Sequence, residues 1–149
     1  MTAAAEATSI LLVEDNPDDV ELTRIAMLDA GLNADLSVVA DGFDALRYLR
    51  REGPWKDAGR PDMILLDLNL PQLDGRELLK IIKGDERLCS IPVVVLTTSV
   101  DHNDVAFAYR SHANSFISKP ADYDLYVHTL RSLQTFWFDV AVLPPKDDD

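Results

Sequence analysis

The sequence predicts an α/β protein with one parallel sheet covered by helices on both faces. Two observations carry that expectation. Short apolar runs and helix-patterned stretches alternate five times along the chain, with no internal repeat and no low-complexity linker. The run at 63–66, Met-Ile-Leu-Leu, is too short for a helix, is entered through Pro61 and ends at the carboxylate of Asp67. That is a fully buried strand of a parallel sheet, delivering an acid to the edge where such sheets bind ligands. With 149 residues and 47% hydrophobic content, the chain has material for one well-buried core.

Taken in order, residues 9–13 form the first strand and stop at Glu14-Asp15-Asn16-Pro17. Asn16 suits a helix N-cap, Pro17 the first helical position, and Asp18 and Asp19 the positive helix end. The helix that follows presents Leu22, Ile25 and Ala26 on one face and stops at Gly31. Residues 36–40 make a second strand, and Asp41 caps a helix carrying Phe43, Leu46 and Leu49. Residues 51–60 read as a long loop, whose Trp55 either meets a partner or folds back over an apolar edge. After the central strand, Leu78, Leu79 and Ile82 lie at helical spacing, with Gly84 near the helix end. Pro92 opens the strand Val93-Val94-Val95-Leu96, and Asp101 and Asp104 begin a helix burying Val105, Ala108 and Tyr109. A short strand at 115–117 leads into Ser118-Lys119-Pro120. The last helix starts near Asp122 and shows Tyr126, Leu130, Leu133 and Trp137 at steps of four, three and four.

Right-handed crossovers leave few ways to order five such strands, and the flavodoxin-like order 2-1-3-4-5 is the natural one. It makes strands one and three neighbours, so that Glu14, Asp15 and Asp67 converge. Three carboxylates facing a single lysine, Lys119, cannot all stay ionised comfortably without a cation. Oxygen donors with no histidine or cysteine beside them favour a hard divalent ion, Mg²⁺ before Zn²⁺. Such an ion takes one or two carboxylates and a phosphate oxygen, and an aspartate can itself be the nucleophile toward a phosphoryl group. Thr97 offers a hydroxyl and Lys119 a compact cation, which suffice where transfer is mostly positioning and charge neutralisation.

The acidic balance, 26 Asp and Glu against 14 Lys and Arg for a net charge of −12, disfavours unaided binding to nucleic acid or anionic membrane. The single cysteine, Cys89, excludes an internal disulfide and fits a reducing compartment. Residues 1–8 carry no basic residue and no long apolar segment, and no run approaches membrane-spanning length, so a cytoplasmic protein is expected. His102, His112 and His128 fall on different helices and receive no role, and Arg47, Arg50, Arg51 and Lys56 read as a solvated helix face.

The Glu14-Asp15 pair, the Asp67-Leu-Asn-Leu-Pro and Asp74-Gly75 run, Thr97-Thr98-Ser99 and Lys119-Pro120 together resemble the receiver domain of two-component response regulators, over residues 9–136. The resemblance implies Asp67 as phosphoacceptor, with Glu14 and Asp15 as Mg²⁺ ligands or orienters and Asn69 adding its backbone carbonyl. It implies Thr97 as switch hydroxyl, Lys119 as phosphoryl clamp, a cis bond at Lys119-Pro120, and Phe116 as switch aromatic. The surface that responds is then the fourth helix, fifth strand and fifth helix. Phe136, Trp137 and Phe138 in succession cannot all face one core, so part of that surface, or residues 140–143, needs cover from this chain or from a second copy. This ending and the long loop are similar to the small single-domain regulators of bacterial phytochrome histidine kinases, which implies a histidine kinase as partner, a homodimer through the last helix and its extension, and a downstream protein target. The expected organisation is a disordered stretch at 1–8, a receiver domain at 9–137, and an extension with an acidic tail at 138–149.

Two other readings compete. A haloacid-dehalogenase-like phosphatase also places an aspartate nucleophile after a strand, but normally carries a second aspartate two residues on, where this chain has Asn69. A receiver-like scaffold that is never phosphorylated is the other; the intact acid pair, threonine and lysine speak against it.

Overall fold

The computed structural model describes residues 8–146. Most of the stretch expected to be disordered, residues 1–7, and the end of the acidic tail, residues 147–149, lie outside the described residues. The elements run β1 (Thr8–Val13), α1 (Pro17–Asp29), β2 (Ala34–Val39), α2 (Gly42–Arg50), β3 (Met63–Leu66), α3 (Gly75–Gly84), β4 (Val93–Thr97), α4 (His102–Arg110), β5 (Ser115–Ser118) and α5 (Tyr123–Gln134). The five strands form one parallel sheet in the order β2-β1-β3-β4-β5. This is the expected doubly wound topology, with β1 and β3 adjacent where the strand order reverses.

Strand alternation divides the core in two. Ile10, Leu12, Met63, Leu65, Val94 and Leu96 face Ala26 and Met27 of α1 and Tyr126, Leu130 and Leu133 of α5. Leu11, Val13, Ile64, Leu66, Val93 and Val95 face Leu46 and Leu49 of α2, Leu78, Leu79 and Ile82 of α3, and Ala108 of α4. Every side chain of β3 is fully buried, which is why this strand reads as a continuous apolar run.

Each helix begins as its sequence dictates. Asn16 accepts from the Asp18 and Asp19 amides with Pro17 in the first turn, and Asp41, Asp74, Asp101 and Asp122 cap the other four in the same way. The inward faces differ in three places. In α1 Leu22 is 43% exposed and Ile25 is exposed too, and the buried positions are Thr23, Ala26 and Met27. The reason is a buried polar contact: Thr23 Oγ1 and Tyr126 Oη lie 2.7 Å apart, so α1 turns a hydroxyl toward α5. Phe43 in α2 and Tyr109 in α4 also face solvent. The second strand starts two residues earlier than expected, because residues 34 and 35 already pair with Thr8 and Ser9.

The loop at 51–60 holds one 3₁₀ turn, Gly53–Trp55. Trp55 is half-buried against Tyr48, ring centroids 6.5 Å apart at 55°, and so covers an apolar edge of its own chain. The Lys119-Pro120 bond is trans, contrary to the implied cis form, and no described residue has a cis peptide; trans is the ordinary preference even before proline. Beyond α5 the backbone widens into a π-helical stretch, Thr135–Val140. Trp137 and Phe138 lean on the α1–α5 side of the core, while Phe136 is 54% and Val140 67% exposed.

Candidate functional site at the carboxyl ends of the strands

Ladder bonds that run past the strand ends fix the site residues. The Glu14 amide donates to Val39 O at 3.0 Å, the Asp67 amide to Val13 O at 3.1 Å, and the Lys119 amide to Thr97 O at 2.7 Å. The backbones of Glu14, Asp67 and Lys119 are thus held before their side chains do anything. One carboxylate oxygen from each of Glu14, Asp15 and Asp67 lies within 4.8 Å of the others. This is the convergence that the strand order predicts.

The three acids differ in environment. Glu14 is only 3% exposed. Its Oε1 accepts from Lys119 Nζ at 2.6 Å and its Oε2 from the Asn16 amide at 3.2 Å. Asp15 is exposed, and Asp67 is half-buried with Oδ1 accepting from the Asn69 amide at 3.1 Å. Burial pushes the Glu14 carboxyl above the usual carboxylate range, a rise that the Lys119 bond and charge only partly offset and that the nearby charge of Asp67 reinforces. Burial alone would lower Lys119, but the hydrogen bond and charge of Glu14, with the charge of Asp67, hold its ammonium above the ordinary lysine value. The charge of Asp67 acts on both groups, raising Glu14 and Lys119 alike.

A hard divalent cation fits that donor set. Its partners are all carboxylate oxygens, and no histidine or cysteine joins the cluster. Both oxygens of Glu14 are already engaged, so Asp15 and the second oxygen of Asp67 are the free donors, and Glu14 holds the Lys119 ammonium beside them.

Thr97 ends β4 fully buried, with its Oγ1 3.5 Å from the Ser99 amide. Phe116 is half-buried on β5 against the α2–α3–α4 side of the core, and its amide donates to Tyr109 Oη at 3.2 Å. Asn69 is exposed beside Asp67. Glu14, Asp15, Asp67 and Lys119 therefore meet at the acidic cleft, Asn69 follows Asp67, and Thr97 ends the neighbouring strand β4, while Phe116 lies on β5, three residues before Lys119. Of the basic group on α2, Arg47 pairs with Asp44 at 2.6 Å, while Arg50 and Arg51 join Arg60 and Arg87 around a cleft of about 410 Å³ near the ends of α2 and α3.

One network escaped sequence reasoning. Arg76 in the first turn of α3 meets Asp104 in the first turn of α4, with Nε and Nη2 at 2.9 and 2.8 Å from Oδ1. Ser99 Oγ donates to Asp104 Oδ2 at 2.8 Å. The Ser99 bond holds Asp104 below the usual carboxylate range, and Arg76 adds to the effect. The available signal was positional: both partners open the helix that follows a site-bearing strand.

Residues 10–131 match the model of the response regulator receiver domain, and the chain belongs to that family. Response regulator Rcp1 of Synechocystis is 38% identical over 135 residues, which span 91% of this chain and 92% of that protein. The crystal structure of the phosphorylated cyanobacterial phytochrome response regulator RcpA superimposes with a TM-score of 0.88 at 42% identity, covering 94% of this chain and all of that one. The Mn²⁺-bound form of Rcp1 gives 0.85 at 37% identity, covering 93% of this chain and 99% of that one. The family sets aside the haloacid-dehalogenase-like alternative. Among the described residues no helix is long and apolar enough to cross a membrane.

Proposed function

We propose that this receiver accepts a phosphoryl group on Asp67 from a sensor histidine kinase, and that a phytochrome-type kinase is the donor. The observation that carries the proposal is the grouping of the Glu14, Asp15 and Asp67 oxygens within 4.8 Å, with the Lys119 ammonium on their flank. An oxygen of the Asp67 carboxylate forms the new P–O bond as the P–N bond of the kinase phosphohistidine breaks, and the electron pair leaves with the imidazole. Mg²⁺, held by Asp15, Asp67 and the Asn69 carbonyl with Glu14 as orienter, would neutralise charge between carboxylate and phosphoryl oxygens. Lys119 moves its charge from Glu14 toward the new phosphoryl oxygens, and Thr97 donates its hydroxyl to them. That draws Thr97 inward and leaves room for Phe116, so the α4–β5–α5 surface changes by a shift between two packings. Asn69 in place of a second acid fits a phosphoacceptor rather than a turnover enzyme.

The phytochrome response regulator RcpA, at 42% identity, supports the choice of kinase. The exposed Phe136 and Val140 beside α5 support a homodimer formed through the last helix and its extension, with the changed surface acting on a downstream protein in the cytoplasm. The reading is tested by mixing this chain with an autophosphorylated, radiolabelled phytochrome histidine kinase. Label should pass within minutes to the wild type and not to Asp67→Asn. Equal transfer to both would place the acceptor elsewhere.

A further inference from the structure

We propose that Arg76 and Asp104 are positioning residues for phosphoryl transfer: their ion pair latches the loop carrying Ser99, and with it Thr97, in the conformation of the unmodified protein. The inference rests on the reading of Asp67 as phosphoacceptor and of Thr97 as the hydroxyl that moves.

One guanidinium bridges the two sides of the cleft. On the α4 side, Arg76 Nε and Nη2 both contact Asp104 Oδ1. On the Asp67 side, Arg76 Nη1 reaches Asp74 at 3.2 Å and the carbonyl of Leu68, the residue after Asp67, at 3.5 Å. Asp104 passes the restraint on, since its other oxygen accepts from Ser99 Oγ at 2.8 Å, and Ser99 Oγ accepts from the Asp101 amide at 3.2 Å. Ser99 lies two residues after Thr97, and its amide is 3.5 Å from the Thr97 hydroxyl oxygen.

Inward movement of Thr97 must carry Ser99 with it, and Ser99 is tied through Asp104 to an arginine on α3 that is itself bonded to the loop after Asp67. An interaction made in one packing and strained in the other favours the first by its own free energy. The pair is only partly shielded, with side-chain exposures of 30% and 16%, so its bias is small rather than absolute. Lysine cannot replace Arg76 here, because one guanidinium serves several acceptors in a fixed fork.

The test measures the rate at which acetyl phosphate with Mg²⁺ adds a phosphoryl group to Asp67 in the wild type, Arg76→Gln, Asp104→Asn and the double variant. Each single variant is expected to label about threefold to fivefold faster. The double variant should label no faster than either single one, because all three lose the same latch. Rates unchanged from the wild type would overturn the proposal, as would fully additive effects. Amide exchange in the unmodified proteins gives a second measure that needs no phosphorylation. The Ser99 and Asp101 amides should exchange faster in both single variants, and unchanged exchange would overturn the latch. Failure of the wild type itself to label would sink the reading of Asp67, while the exchange data would still decide the latch.

Discussion

At Gly75 the chain enters α3 with no room for a side chain. An added Cβ would lie 2.3 Å from the carbonyl oxygen of Asp67 and 2.6 Å from the Leu68 Cα. Gly75→Ala should therefore displace the segment that carries the acceptor, destabilising the fold by about 1–3 kcal/mol and slowing phosphorylation. Gly84, with nothing within 4 Å of an added Cβ, is the control: Gly84→Ala should leave both unchanged or slightly improve stability. Denaturant midpoints and labelling rates check the pair. The acids at strand ends and Lys119 were legible in the sequence, because a charge straight after an apolar run is hard to explain otherwise. The direct pairing of Lys119 with Glu14 was not, since it joins residues 105 apart and depends on side-chain reach. The implied cis bond at Lys119-Pro120 was an inheritance from the family pattern, and this chain keeps the bond trans.

Between elements, the contact of α3 with α4 adds a pH dependence. Asp104 has its folded-state pKa below the ordinary 3.8, chiefly through the Ser99 hydrogen bond and then Arg76. A lowered carboxyl pKa contributes stability above the unfolded value and loses it as pH falls through the folded one. Asp104→Asn should thus lose less stability than the wild type between neutral pH and the region below pH 3.8, measured by urea unfolding at each pH. Element order, caps and the buried strands were readable because turn residues and apolar runs report directly on backbone and burial. The helix faces of α1, α2 and α4 were less so. Leu22, Phe43 and Tyr109 look like core residues by type, yet tertiary contacts decide which side turns inward, as the Thr23–Tyr126 contact does for α1. The Arg76–Asp104 pair was illegible for the same reason, since its helices become neighbours only in the folded sheet.

Across the whole molecule, the net charge of −12 and the concentrated acidity of one cleft make a divalent cation the natural stabiliser. Binding to the folded state alone raises stability by RT ln(1 + [L]/Kd), about 1.4 kcal/mol at ten times Kd. The thermal midpoint of the wild type should rise with Mg²⁺, and that of a variant lacking two of the three carboxylates, Asp15→Asn with Asp67→Asn, should not. The exposed Phe136 and Val140 make a second whole-molecule expectation: Phe136→Asp should shift a dimeric wild type toward monomer in light scattering. The account as a whole turns on Asp67 being modified in a metal-dependent way. Intact-mass measurement after treatment with acetyl phosphate tests this most directly. A single added phosphoryl group on the wild type in Mg²⁺, absent with chelator and absent in Asp67→Asn, is the predicted result. An unmodified wild type, or equal modification of Asp67→Asn, would contradict it.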